Sequence, residues 1–153
     1  MKCIFRLALT TVFLLGFAGI VSARLVRIWT YQELVEKSDL VVLASPVATN
    51  DTAEHINHPD FVGQPVIGVE TRFAVAAVLK GDPALKEFTF HHYRTNTEGV
   101  IVPNGPTLVS FDLAERTTFR QRTFILFLHR EADGRYASVV GQSDPGGGIK
   151  ELR

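Results

Sequence analysis

Residues 123–129, with the sequence TFILFLH, are nearly all apolar and β-prone. Such a run favours a strand that is buried on both faces. It is followed by EADGR at 131–135, whose Asp-Gly pair suits a tight reversal, and then by YASVV at 136–140, which predicts the returning strand of a hairpin. We therefore expect residues 124–128 to form the most buried, central strand of a sheet.

Three segments upstream also predict strands. The first spans residues 38–47, where Pro46 confines the strand end to an edge or a bulge. The second begins at Val69 and alternates in polarity until residues 77–79 break the pattern, which predicts a bulge or a sharp coil. The third has the alternating sequence FTFHHY at 88–93.

A short helix and several irregular segments complete the pattern. The sequence Thr30-Tyr31-Gln32-Glu33 is a capping box, so a helix begins there and runs toward Ser38. Residues 50–68 predict a loop, residues 94–121 are ambiguous apart from a short strand at 108–113, and the glycines near 146–148 predict a flexible or tightly turned tail. Short strands without alternating helices indicate an all-β fold, a small, partly closed barrel of five or six strands with one N-terminal helix.

The N-terminus has the pattern of a secretory signal peptide. Lys2 and Arg6 precede an apolar run at 7–21, which ends in Val21-Ser22-Ala23. We expect cleavage after Ala23, with an uncleaved membrane anchor as the alternative, and a single domain over residues 24–153. The protein would then be secreted or periplasmic and would meet the membrane only during export.

Composition restricts the partners. The 16 basic and 16 acidic side chains cancel, so no net field attracts a polyanion. The only cysteine, Cys3, leaves with the signal peptide, so no disulfide supports the mature core. Aromatic residues at 88, 90 and 93 lie near Lys86 and Arg94, but core packing explains them better than base stacking, and we expect a protein or envelope component as partner rather than nucleic acid.

The five histidines form no complete metal site in the sequence. His55 and His58 are the metal-ligand candidates, and they would share a face only if residues 55–58 formed a helical turn, with Glu54 and Asp60 as possible oxygen ligands. His91 and His92 are adjacent on a strand and must point to opposite faces. Neither a nucleophile elbow around Ser110 nor a phosphate-binding glycine loop is present, so we assign no catalytic residue and no cofactor.

The order of the strand segments resembles the N-terminal domain of tissue inhibitors of metalloproteinases and their netrin-like relatives, and more closely the cysteine-free secreted domains of bacteria that share the pattern. The segments that carry the resemblance are SDLVV at 38–42, TRFAV at 71–75, VLKG at 78–81, FILFL at 124–128, DGRY at 133–136 and GQ at 141–142. The resemblance implies an OB-fold barrel over most of residues 29–152. It does not carry the inhibitory activity over, because those inhibitors bind the protease zinc through a disulfide-pinned N-terminal cysteine, whereas Arg24 would come first here.

Two classes of function fit these patterns. The first is a small exported binding or interaction module whose loops at 50–68 and 94–120 form the recognition surface. The alternative is a small extracytoplasmic metal-binding protein or hydrolase that uses the loop carrying His55 and His58. A structure in which these two side chains and a further ligand converge would favour the alternative.

We predict that the mature protein does not inhibit zinc endopeptidases tightly. Residues 24–27 would form a free arm, and ordering each residue on binding costs about 1 to 2 kcal/mol of backbone entropy. Titration of a purified zinc endopeptidase with protein that begins at Arg24 is the test. Stoichiometric inhibition at nanomolar concentration that is lost on acetylation of the Arg24 amine would contradict the prediction.

Overall fold

The computed structural model describes residues 27–57, 65–96, 107–111, 122–142 and 147–152. These residues form one helix and six strands, which are α1 (Tyr31–Lys37), β1 (Leu40–Asn57), β2 (Pro65–Lys80), β3 (Glu87–Thr95), β4 (Thr123–Arg130), β5 (Tyr136–Ser138) and β6 (Ile149–Leu152). The signal-peptide prediction at 1–23 falls outside them. Within the described ranges, no helix has the length and apolar character needed to cross a membrane.

The six strands form one sheet that closes on itself. Their order is β1-β2-β3-β5-β4-β6, and an additional pairing between β1 and β4 joins five of them into a ring. The pairings are antiparallel except between β3 and β5, which meet in parallel at Phe90 and Tyr136. The expected all-β, partly closed barrel is confirmed.

β4 is the central strand, as expected from its sequence. It pairs with β1, β5 and β6. Its inward side chains join the aromatic core, where Leu126 and Leu128 are completely buried. On the other face, Phe127 packs with Val41 and with Leu34 of α1. The capping box at Thr30 and Glu33 starts this helix as predicted.

The predicted break in β2 is a pair of bulges. Val41 and Val42 face Lys80 and Val78, so Leu79 has no opposite residue in β1, and a second shift leaves Ala76 without one. Another irregularity follows Pro46, as its position in the sequence suggested. Bulges increase the local coiling of a sheet, which helps the ring to close.

The prediction of a loop at 50–68 is wrong for most of its length. β1 continues to Asn57 and β2 begins at Pro65, so the two strands form a long ribbon, while residues 58–64 lie outside the described part. Residues 51–57 alternate between exposed and half-buried positions. Pairing with β2 supplies the strand conformation that the Asn, Asp and His residues do not favour by themselves.

Two further expectations need correction. Residues 107–111 form no strand and contain only an isolated bridge at Leu108; the rest of the segment predicted at 108–113 lies outside the described residues. The turn expected at the glycines near the chain end is present at Gly147 and Gly148, but the strand that follows it, β6, which pairs with β4, was not predicted. The returning strand of the hairpin is confirmed, although it ends at Ser138 rather than at residue 140.

We predict that Leu126→Asp prevents folding. The side chain is completely buried, and an unpaired carboxylate there costs several kcal/mol, which is comparable to the stability of a small domain. Leu79→Asp is the matched control, because that leucine is 59% exposed at a bulge. Circular dichroism and thermal denaturation would report the difference, and a cooperative transition near that of the wild type in the Leu126 variant would contradict the prediction.

Candidate functional site

Two adjacent histidines of β3 are buried on opposite sides of the sheet. His91 and His92 are each only 3% exposed. Because side chains of a strand alternate between faces, His92 points into the barrel with Phe90, and His91 points outward with Tyr93. Each imidazole therefore needs its own set of polar partners.

His92 is the end of a chain of hydrogen bonds inside the barrel. Its Nδ1 lies 3.1 Å from the carbonyl oxygen of Val109, and its Nε2 lies 2.9 Å from Thr71 Oγ1. A carbonyl only accepts, so Nδ1 carries the proton, Nε2 of the neutral ring accepts from Thr71, and Thr71 in turn accepts from Thr49 at 2.9 Å. The ring thus fastens residues 107–111 to β3.

The neutral state of His92 follows from its surroundings. Burial lowers its pKa to about 4, and the charge of His91 acts in the same direction, whereas the hydrogen bond to the Val109 carbonyl opposes the shift. The ring centres of Phe90 and Phe111 each lie 5.5 Å from its ring centre. An apolar environment of this kind disfavours the imidazolium form.

A cavity of about 360 Å³ lies beside His92, between β1, β2, β3 and the segment 107–111. Its lining combines apolar side chains with hydroxyl, imidazole and charged groups: Thr49, Asp51, Val69, His92, Arg94, Thr95, Leu108, Val109, Ser110 and Phe111. Phe111 separates it from the core, packing edge-on against Phe73 at 5.0 Å and Phe124 at 5.3 Å.

Asp51 and Arg94 form an ion pair in the cavity lining. The guanidinium donates to both carboxylate oxygens, with Nε–Oδ1 and Nη2–Oδ2 distances of 2.7 and 2.6 Å. These bonds lower the pKa of Asp51 and raise that of Arg94. Both side chains are about half exposed, so water screens the pair and a ligand can compete for it.

His91 is surrounded by acidic groups on the outer face. Its Nδ1 donates to Glu131, with distances of 2.9 and 3.1 Å to the two carboxylate oxygens. Its Nε2 lies 3.2 Å from Glu54 Oε2, and the hydroxyl of Tyr93 donates to Glu54 Oε1 at 2.7 Å. Burial first, and then this hydrogen bond, raise the pKa of Tyr93.

The metal-ligand candidates stay a prediction. His55 is exposed on β1 opposite Ile67, and His58 lies outside the described residues. Within the ranges that the structure describes, no group of three or more His, Cys, Asp or Glu residues could hold a metal ion. The core-packing prediction for Phe88, Phe90 and Tyr93 is confirmed, because their side chains are buried.

Sequence reasoning did not identify the residues that line the cavity. The alternation of β3 would have placed Arg94 on the inner face with His92, and this signal was available. Asp51 fell in a predicted loop, so no face could be assigned to it. The partners Glu54 and Glu131 carry no local signal, because Glu54 reaches His91 from β1 and Glu131 reaches it from the turn after β4.

We predict that His92 makes stability depend on pH. The unfolded chain binds a proton at an ordinary histidine pKa near 6.5, whereas folded His92 does so only near 4. The free energy of unfolding is therefore highest above pH 6.5, and about 3 kcal/mol of it is lost as the pH falls through this interval.

His92→Asn is the test variant, because its amide can still donate to Val109 but does not titrate. Urea denaturation at several pH values would show the wild type losing more stability than the variant between pH 6.5 and 4. A difference between the two proteins that is constant across this range would contradict the assignment.

Comparison with known proteins adds no family to this picture. No protein-family model matches the chain, and no curated protein matches it significantly. The resemblance to metalloproteinase inhibitors and netrin-like domains remains a prediction from the sequence.

Proposed function

We propose that the protein is an exported binding module that takes a small ligand in the cavity beside His92. The observation that carries the proposal is the position of this cavity. It lies where the two segments expected to form the recognition surface meet, with Asp51 from one and Arg94, Thr95 and residues 108–111 from the other. Rigid barrels commonly place recognition on the segments at their ends.

The lining indicates the kind of ligand. Val69, Val109 and Phe111 are buried and offer an apolar wall. Thr49 and Ser110 contribute hydroxyl groups, and the ion pair of Asp51 and Arg94 contributes both signs of charge. A compact molecule with an apolar body and one polar or charged end fits this combination.

The hydrogen bonds behind the wall support a preformed site. His92 donates a hydrogen bond to the Val109 carbonyl. Its other ring nitrogen accepts from Thr71, which in turn accepts from Thr49. The segment that borders the cavity is therefore fixed before a ligand arrives. Preorganisation of this kind reduces the entropy lost on binding.

Export is the second part of the proposal. It rests on the basic start, the apolar run and the small-residue exit of residues 1–23. Mass determination of the protein recovered outside the cytoplasm would test the cleavage after Ala23.

The OB-fold-like character of the barrel is supported by the five-stranded ring and by its parallel contact between β3 and β5.

We expect small amphiphilic probes to bind in the cavity. Butyrate, butyramide and butylamine share one apolar body and differ in charge, so their comparison shows which polar end the site prefers. Titration at millimolar concentration should shift the backbone amide NMR signals of Thr49, His92, Arg94 and Ser110 more than those of other residues.

Ser110→Trp should abolish these shifts, because Ser110 is exposed in the lining and a large side chain there fills the cavity. Thr107→Trp is the matched control on the same segment, exposed and outside the lining. Shifts scattered over the surface, or equal in the two variants, would contradict the proposed site.

A further inference from the structure

We propose that the ligand of the cavity beside His92 is a free α-amino acid with a short apolar side chain, held at both of its charged groups by Asp51 and Arg94. This inference rests on the proposed function, because it names the class of ligand for the same cavity. Arg94 binds the carboxylate, Asp51 binds the ammonium group, and the apolar wall contacts the side chain.

The register of three strands places the ion pair beside the apolar wall. Asp51 of β1 lies opposite Val69 of β2, and Val69 lies opposite His92 of β3. Arg94 follows His92 by two residues, so both are on the same inner face. The pair of Asp51 and Arg94 joins β1 to β3 and therefore crosses over β2. Two opposite charges and an apolar surface thus border one cavity.

Both members of the pair keep unused hydrogen-bonding capacity among the contacts of the described residues. Nε and one hydrogen of Nη2 of Arg94 point to Asp51, and one hydrogen of Nη1 points to the carbonyl oxygen of Thr95 at 3.3 Å. The second hydrogens of Nη1 and Nη2 lie side by side at the end of the planar guanidinium, an arrangement that binds a carboxylate through two parallel bonds. Each carboxylate oxygen of Asp51 has a further lone pair, which can accept from an ammonium group.

The charges of the lining favour a zwitterion. Among the described residues that line the cavity, Asp51 and Arg94 are the two that carry charge, because His92 is neutral. A ligand with only a carboxylate would place a second anion near Asp51, and a ligand with only an amine would place a second cation near Arg94. A zwitterion brings both signs, so each of its groups meets the opposite charge.

An α-amino acid also has the required spacing. Its ammonium and carboxylate groups are bonded to the same carbon, so they stay close together. The atoms that would bind them are neighbours too, because Arg94 Nη2 and Asp51 Oδ2 are 2.6 Å apart. One ligand carbon can therefore present its two charged groups to both residues at once.

The remaining lining sets the side chain and the size of the ligand. Val69, Val109 and Phe111 are buried and form the apolar wall. The volume of about 360 Å³ lies at the lower end of the range for small-molecule sites. A residue inside a peptide carries neither charged group, so a free amino acid uses the site more fully. We therefore expect a short aliphatic side chain on the wall.

Norvaline, pentanoate and butylamine form a matched set of probes. Removal of the ammonium group from norvaline gives pentanoate, and removal of its carboxylate gives butylamine, so the apolar body is kept. Titration of the purified protein, followed by the amide NMR signals of His92 and Arg94, gives a Kd for each probe. We expect norvaline to bind about tenfold more tightly than either of the others, the factor that one added charge-assisted hydrogen bond contributes. N-acetylnorvaline and norvaline amide, which resemble chain ends, should bind like the singly charged probes.

Two variants separate recognition from a purely structural ion pair. Asp51→Asn can still accept from Arg94 but leaves its charge uncompensated, so pentanoate should bind more tightly than it does to the wild type and norvaline should lose its advantage. Arg94→Gln should have the opposite effect and favour butylamine. Glu151→Gln is the matched control, because Glu151 pairs with Arg122 through the same two guanidinium nitrogens, at 2.8 Å each, outside the cavity lining. This control should keep the wild-type order of affinities.

Three results would overturn the inference. The first is norvaline that binds the wild type no more tightly than pentanoate and butylamine while these two shift the cavity signals, which leaves the proposed binding site in place without this ligand class. The second is an order of affinities in the Asp51 variant that equals the order in the control. The third, the absence of cavity shifts with every probe, overturns the proposed function as well, so the two failures are distinguishable.

Discussion

The pairing of the start of β1 with β4 is the contact on which the rest of the structure depends. Residues from Leu40 to Ala44 lie opposite residues from Leu128 to Phe124, and this ladder closes the five-stranded ring. Without it, β4 and its neighbours would leave an open edge, and the inner apolar faces would be exposed to water. Closure produces a small, apolar interior packed with aromatic rings. Any polar side chain that enters this interior must find a partner within the protein.

Two neighbouring histidines differ in their environments because the closed sheet has an inner and an outer face. His92 points into the apolar interior, where burial keeps it neutral and its two nitrogens bond to Val109 and Thr71. His91 lies on the outer face, where carboxylates approach both of its nitrogens. The same residue type therefore becomes a fixed structural link on one side of the sheet and a group between two acids on the other. The difference arises from solvation and from the charges that each face presents.

The functional features concentrate where the ring gives way to irregular structure. β1 leaves its regular register opposite Gly68. The segment 107–111 places Phe111 in the interior, where its ring contacts Phe73 and Phe90. The cavity lies between these two regions, and it is bordered by Leu108, which packs with Ile56 against Val66 and Tyr93. The pairing that closes the ring lies at the other end of β1, from Leu40 to Ala44, so these departures leave the ring closed. Recognition surfaces are commonly built in this way.

The sequence by itself determined the elements whose signals are local. The capping box at Thr30, the apolar run of β4, the Asp-Gly hairpin and the break before Leu79 each follow from neighbouring residues, and each is present in the structure. Only the tertiary structure decided that residues 51–57 continue β1, that residues 149–152 form a strand, and that Glu54, Glu131, Thr71 and Val109 meet the two histidines. The physical reason is that a strand draws much of its stability from its partner and from burial. Neither the partner nor the burial is encoded within the few residues whose propensities can be read along the chain.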